Sequence, residues 1–117
     1  MKLSVVIPTY KPQNLTPLLA ALVNQQDQEF ELVVVENGSD TAVLLSELEN
    51  YELSFPYVYI HEATPGLNHA RNLGVKASSG THIVFIDDDC LPDNKWTGAV
   101  KDAHRSYPSA GVIGGRV

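Results

Sequence analysis

The sequence predicts an α/β fold with a mainly parallel sheet and helices on both faces. Three observations carry this expectation. Short runs of aliphatic and β-branched residues recur, apolar on both sides, as strands covered above and below must be. Between them lie segments with apolar residues spaced three and four apart, the stripe of an amphipathic helix. The two patterns alternate every ~20–30 residues, which implies right-handed βαβ units.

Leu3 to Ile7 is the first strand, closed by Pro8. Leu15, Leu18, Leu19, Leu22 and Val23 form the first helical stripe. Thr16-Pro17 suits its start as cap and first helical residue, and Asn14 is an alternative cap. Glu31 to Val35 is the second strand, ended by the turn Asn37-Gly38-Ser39-Asp40. Val43, Leu44, Leu45 and Leu48 support a short helix, and Tyr57 to Ile60 is the third strand behind Pro56. Leu67, Ala70, Leu73, Gly74 and Ala77 make a helical stripe of small residues, suited to close packing on a sheet. Ser78-Ser79-Gly80 ends that helix, and His82 to Ile86 is the fourth strand. A further helix carries Trp96, Val100 and Ala103, and Gly111 to Val117 begins as a fifth strand. The fully apolar first strand belongs at the centre, so the expected strand order is 3-2-1-4.

Composition narrows the function. The chain has 117 residues, and 44% of them are hydrophobic, enough for one packed domain. Eight Lys and Arg against 14 Asp and Glu give a net charge of −6, which argues against nucleic acid as a partner. A single cysteine, Cys90, excludes an intrachain disulfide and a multi-cysteine zinc site. No apolar run has the roughly 18 residues of a membrane span, and no signal peptide opens the chain, so the expected compartment is cytoplasmic. There is no Gly-x-Gly-x-x-Gly after the first strand and no Gly-Lys-Ser/Thr loop, which weakens dinucleotide and triphosphatase readings.

In a parallel α/β sheet, ligands bind at the carboxyl ends of the strands. Those ends carry Pro8-Thr9-Tyr10, Glu36-Asn37-Gly38-Ser39, the Thr64 to Asn72 segment with Arg71, and Asp87-Asp88-Asp89. Three adjacent carboxylates repel one another unless a cation or water screens them. Mg²⁺ or Mn²⁺ would neutralise them and in turn hold a diphosphate. The alternative is a solvated turn in which Asp89 or Asp93 caps the next helix. Glu36 and Asn37 offer hydrogen bonds to a base or ribose, or else belong to a plain turn. Tyr10 offers a stacking face, or else only follows a strand terminator. Arg71 reaches a phosphate, or pairs with Glu62. His82 reads as structural and Cys90 as a small packing residue.

These pieces, in this order, resemble the N-terminal half of a family-2 glycosyltransferase of the GT-A fold, a Rossmann-like architecture. "SVVIPTYK" resembles the family's opening strand and loop, and "FELVVVENGSDT" its second strand and base-binding turn. "PGLNHARNLGVKASSGTHIVFIDDDCLP" resembles the stretch ending in its DxD metal motif. The resemblance implies sugar transfer from a nucleotide-diphosphate donor, most simply a UDP-sugar, with Mn²⁺ or Mg²⁺ as cofactor. It places Pro8, Thr9, Tyr10 and Asn37 around the nucleoside, with Glu36 where the family often has Asp. It turns Arg71 toward the nucleotide, makes Asp89 the first metal ligand with Asp87 beside it, and gives Asp88 the sugar or ribose hydroxyls. Asn37 departs from a commonly acidic position.

The acceptor, a saccharide or lipid-linked saccharide of the cell envelope, and the catalytic base are expected beyond Val117. The whole protein is expected to be cytoplasmic or peripheral to the membrane. Val112 and Ile113 on an uncovered edge are expected to favour self-association through the C-terminal segment. A sugar-nucleotide nucleotidyltransferase is a weaker fit, because Thr-Tyr-Lys-Pro stands where that class has a Gly-rich loop. A phosphoacceptor receiver module is weaker too, because its acids come from separate strands.

Overall fold

A computed structural model describes residues 1–10, 15–37, 48–64, 66–111 and 114. The elements are β1 (Leu3–Thr9), α1 (Thr16–Val23), β2 (Phe30–Asn37), β3 (Tyr57–Glu62), α2 (Leu67–Ala77), β4 (His82–Phe85) and α3 (Trp96–Ser106). They build one four-stranded sheet in the order β3-β2-β1-β4, the order expected from the sequence. Every strand pair is parallel.

All seven residues of β1 are buried, as its central place requires. Alternation along the pleat divides them between two cores. Leu3, Val5 and Ile7 join Phe30, Leu32 and Val34 under Leu18, Leu19 and Leu22 of α1, with Trp96 and Val100 of α3 packed alongside. Val6, Val33 and Val35 face the other way, against Ala70, Leu73 and Ala77 of α2. Each such aliphatic side chain contributes roughly 1.5–3 kcal/mol by leaving water. The small-residue stripe of α2 has a specific reason. A Cβ on Gly74 would lie 2.4 Å from Cγ1 of Val6, so only glycine lets the helix approach this closely.

Some boundaries differ from the expectation. Thr16 is the first helical residue and not the cap; buried Leu15 precedes it without a side-chain capping bond, so burial rather than capping sets this helix start. Val23 is exposed and lies off the apolar stripe. β2 and β3 each run two residues further than their apolar runs, pairing up to Asn37↔Glu62. Glu36 and Asn37 are therefore strand and not turn. β4 ends at Phe85, one residue early. Asp93 does not cap α3: its Oδ1 accepts the Lys95 N–H at 2.9 Å, one turn residue ahead of the helix, and Lys95 holds the cap position. Residues 48–50 are helical and Leu48 is buried. The rest of that expected helix, the Asn14 cap, and the fifth strand apart from Gly111 and Gly114 lie outside the described residues.

Two polar clamps fix the layers. Gln25 donates to the Asp93 carbonyl at 2.5 Å and accepts the Thr97 N–H at 3.0 Å. Lys101, 3% exposed, donates to both Asp27 oxygens at 2.9 and 3.0 Å and to the Glu29 carbonyl at 2.8 Å. Partial burial alone would raise the Asp27 pKa, but the Lys101 ammonium and the Glu29 N–H outweigh it and hold it below the ordinary value. At the same amino-terminal end of β2, buried Glu31 accepts the Ser79 N–H at 2.8 Å and the Ser79 hydroxyl. Burial would raise its pKa too; the Ser79 and Ser4 donors outweigh that and lower it.

Candidate functional site

Because all four strands run the same way, their carboxyl ends gather the expected residues at one edge of the sheet. β1 and β4 pair only as far as Val6↔Phe85, with the Ile86 N–H reaching the Val6 carbonyl at 3.1 Å. Pro8 comes two residues later, on the backbone side facing β4. A residue without an N–H is tolerated there because the partner strand has ended. Beyond it the strands part. Tyr10 emerges with 62% of its surface exposed, a face open for stacking.

Asp87, Asp88 and Asp89 form the turn that follows β4, closed by the Cys90 N–H on the Asp87 carbonyl at 3.1 Å. The middle acid points apart from its neighbours. Asp88 Oδ2 accepts the Thr9 hydroxyl at 2.8 Å. Asp87 and Asp89 are exposed, and one ligand atom from each of Asp87, Asp89 and Cys90 lies within 4.8 Å of the others. The two carboxylates at that spacing suit a hard divalent cation, and the thiol is the softer donor of the three. Cys90, read from sequence as a packing residue, is instead exposed beside the two acids. Its distance of three residues from Asp87, in a tight turn, was the available signal.

Arg71, half-buried on α2, lines a groove of about 980 Å³ together with Phe85, Asp87, Cys90, Leu91 and Trp96. The pairing of Arg71 with Glu62, the alternative left open above, is not what Glu62 does. Glu62 accepts the Thr64 N–H at 3.0 Å and lies 3.6 Å from His69 Nε2, and the backbone bond is the main reason its pKa is lowered.

Glu36 and Asn37 sit at this edge but below its surface. Glu36 is fully buried and accepts the Tyr59 hydroxyl, on the same face as its register partner Thr9. Burial, then the adjacent Glu36 carboxylate, pushes the Tyr59 pKa well above its ordinary value. Asn37 is 4% exposed. Its amide donates to the Thr64 carbonyl, and its Oδ1 accepts the Gly66 N–H at 2.8 Å. Gly66, at φ 143°, takes a conformation that side chains disfavour and turns the chain into α2. Asn37 thereby braces the loop that presents the Arg71 helix.

A parallel sheet in this order, with an acidic turn and an arginine helix meeting at its carboxyl edge, defines a GT-A-type glycosyltransferase domain. The chain belongs to glycosyl transferase family 2, whose model matches residues 4–117. It is similar to an uncharacterized glycosyltransferase of Rickettsia bellii, 38% identical over 92 residues, covering 77% of this chain and 13% of that protein. It is also similar to the uncharacterized glycosyltransferase YfnE of Bacillus subtilis, 31% identical over 117 residues, covering 97% of this chain and 30% of that one. The structure of S. aureus TarS 1-349 superposes with a TM-score of 0.80 at 28% identity, covering 100% of this chain and 38% of that chain. TarS 1-349 has also been solved in complex with UDP. The chain thus spans well under half the length of these relatives.

Proposed function

We propose that these residues form the donor site of a metal-dependent glycosyltransferase that takes its sugar from a nucleotide diphosphate, most simply a UDP-sugar. The observation that carries this reading is that Arg71 and Asp87 line one groove beside β4, with the Asp89 carboxylate within 4.8 Å of that of Asp87. The UDP complex of TarS supports a uridine nucleotide as the donor's leaving group.

The two carboxylates fit Mn²⁺ or Mg²⁺, with Asp89 as first ligand and Asp87 beside it. A bound ion supplies the positive charge that stabilises the departing diphosphate. The chain's own residues do the rest. Arg71 pairs with a phosphate, and its planar fork suits two oxygens at once. Tyr10 stacks on the base beside Pro8, with Thr9 behind them at the end of β1. Glu36 and Asn37 support this pocket from beneath, and Asp88 borders the ribose or sugar. Cations are needed here because the chain itself carries −6 and would repel a free diphosphate.

The acceptor is a saccharide or lipid-linked saccharide of the cell envelope, and the base that activates it lies beyond Val117. Among the described residues, no helix is long and apolar enough to cross a membrane. A cytoplasmic or membrane-peripheral placement of the whole protein is part of the same reading. Self-association through the C-terminal segment remains part of it, and light scattering at rising concentration reads it directly.

Calorimetric titration of UDP in Mn²⁺ tests the site. Asp89→Ala should lose most of the metal-dependent affinity, while Asp93→Ala, in the turn before α3, should keep it. Equal losses would remove the metal assignment.

A further inference from the structure

We infer that Thr9 is a positioning residue of the metal and diphosphate site, and acts through Asp88 rather than by touching the nucleoside. The inference rests on the donor-site reading above and alters the role that the family resemblance implied for Thr9.

The geometry has three parts. Thr9 is the last residue of β1, and its side chain is 2% exposed, on the same face as Leu3, Val5 and Ile7. A hydroxyl buried that deeply has little access to a ligand. Its hydrogen is committed to Asp88 Oδ2 at 2.8 Å, a bond to a carboxylate and so one of the stronger kind. That bond joins β1 to the acidic turn beyond the point where backbone pairing between β1 and β4 has stopped.

The consequence is orientation. Three consecutive carboxylates tend to spread apart through mutual repulsion. Tying the middle one down to the end of β1 removes one carboxylate from the exposed cluster. It also fixes the turn from which the other two project. Asp87 and Asp89 are left exposed with ligand atoms close together, the arrangement a single cation requires. Thr9 differs in this from exposed Tyr10, the next residue, which is free to meet a base.

The test is UDP titration of the chain by calorimetry in two arms, with excess Mn²⁺ and with EDTA. Thr9→Val keeps the shape and strand preference of threonine but cannot donate. It should lose about tenfold in the Mn²⁺ arm, as expected for losing a bond to a charged acceptor, and little in the EDTA arm. Thr9→Ser should restore the Mn²⁺ arm. In an Asp88→Ala background, Thr9→Val should cause no further loss, because the bond is already gone.

Equal weakening of both arms by Thr9→Val marks Thr9 as a nucleoside contact or a general structural residue and overturns the inference. So does full Mn²⁺-dependent affinity in Thr9→Val, or a loss of the same size with Asp88 already removed. If Thr9→Val does not fold, Thr9→Ala takes its place in the same cycle, with melting curves as the check. Failure of the unaltered chain to bind UDP in Mn²⁺ overturns the donor-site reading, and this inference with it. Normal binding with an indifferent Thr9 overturns the inference alone.

Discussion

Lys101 is a basic residue in a place that excludes water, and its neighbours supply an acceptor for each of its ammonium hydrogens. Its ammonium is surrounded by two carboxylate oxygens and a carbonyl. Removing Asp27, itself about a third exposed, would leave that ammonium with the Glu29 carbonyl alone, so Asp27→Ala should cost about 2–3 kcal/mol. The exposed pair Arg105–Asp102 is its contrast, with side chains 61% and 77% exposed, and Asp102→Ala should cost under ~1 kcal/mol. Denaturant melts of the two variants check the difference. The same carboxylates set the acid response. Asp27 and Glu31 both have pKa values lowered by folding. Their stabilisation is therefore complete above the unfolded values, near ~4, and is lost as pH falls through the lower folded values. Melting temperature should hold from neutral pH to about 5 on their account and fall below about 4. Glu31→Gln should flatten that fall; a fall as steep as in the unaltered chain would remove Glu31 from the cause. Residues of this kind were not legible in the sequence, since Lys101 and Asp27 are 74 positions apart. Glu36 and Asn37 were legible as strand-end residues. Their burial was not, because it depends on β3 pairing with them to the end.

At the scale of elements, periodicity identified the helices and strands, and tertiary contacts moved their ends. α1 begins where Leu15 becomes buried and α3 one residue after the Asp93 turn, neither at the residue that capping preference selects. The small-residue stripe of α2 is the element whose sequence and packing agree most closely. Its Gly74 faces Val6 on the central strand, and the neighbouring contact to Val35 Cγ2 at 3.6 Å is ordinary. Valine has little rotamer freedom with which to retreat. Gly74→Ala should therefore destabilise by about 1–3 kcal/mol, although alanine is the better helix former by ~1 kcal/mol. Val6→Ala should recover part of that loss in the double variant, despite its own cavity cost. A Gly74→Ala chain that melts no lower than the original would mean that α2 rides higher on the sheet than described.

At the scale of the whole molecule, the candidate site belongs to no single element. β1 brings Tyr10, α2 brings Arg71, and the turn after β4 brings Asp87 and Asp89. A ligand that bridges them exists only on the folded chain, so its binding must raise the unfolding temperature. At a free concentration of one hundred times Kd the gain is about 2.7 kcal/mol, which for a domain near this size corresponds to roughly 10 °C. The arms of the experiment should differ in a particular way. UDP in EDTA meets a protein of charge −6 and should shift melting little. Mn²⁺ alone, held by two exposed carboxylates, should also shift it little. UDP and Mn²⁺ together should give most of the rise, because each supplies charge the other needs. Asp89→Ala should abolish the joint effect while melting near the original temperature without ligand, since Asp89 is exposed. Additive shifts from UDP and Mn²⁺ would mean two independent sites. No shift in any arm would mean that the strand-end groove does not hold a nucleotide diphosphate.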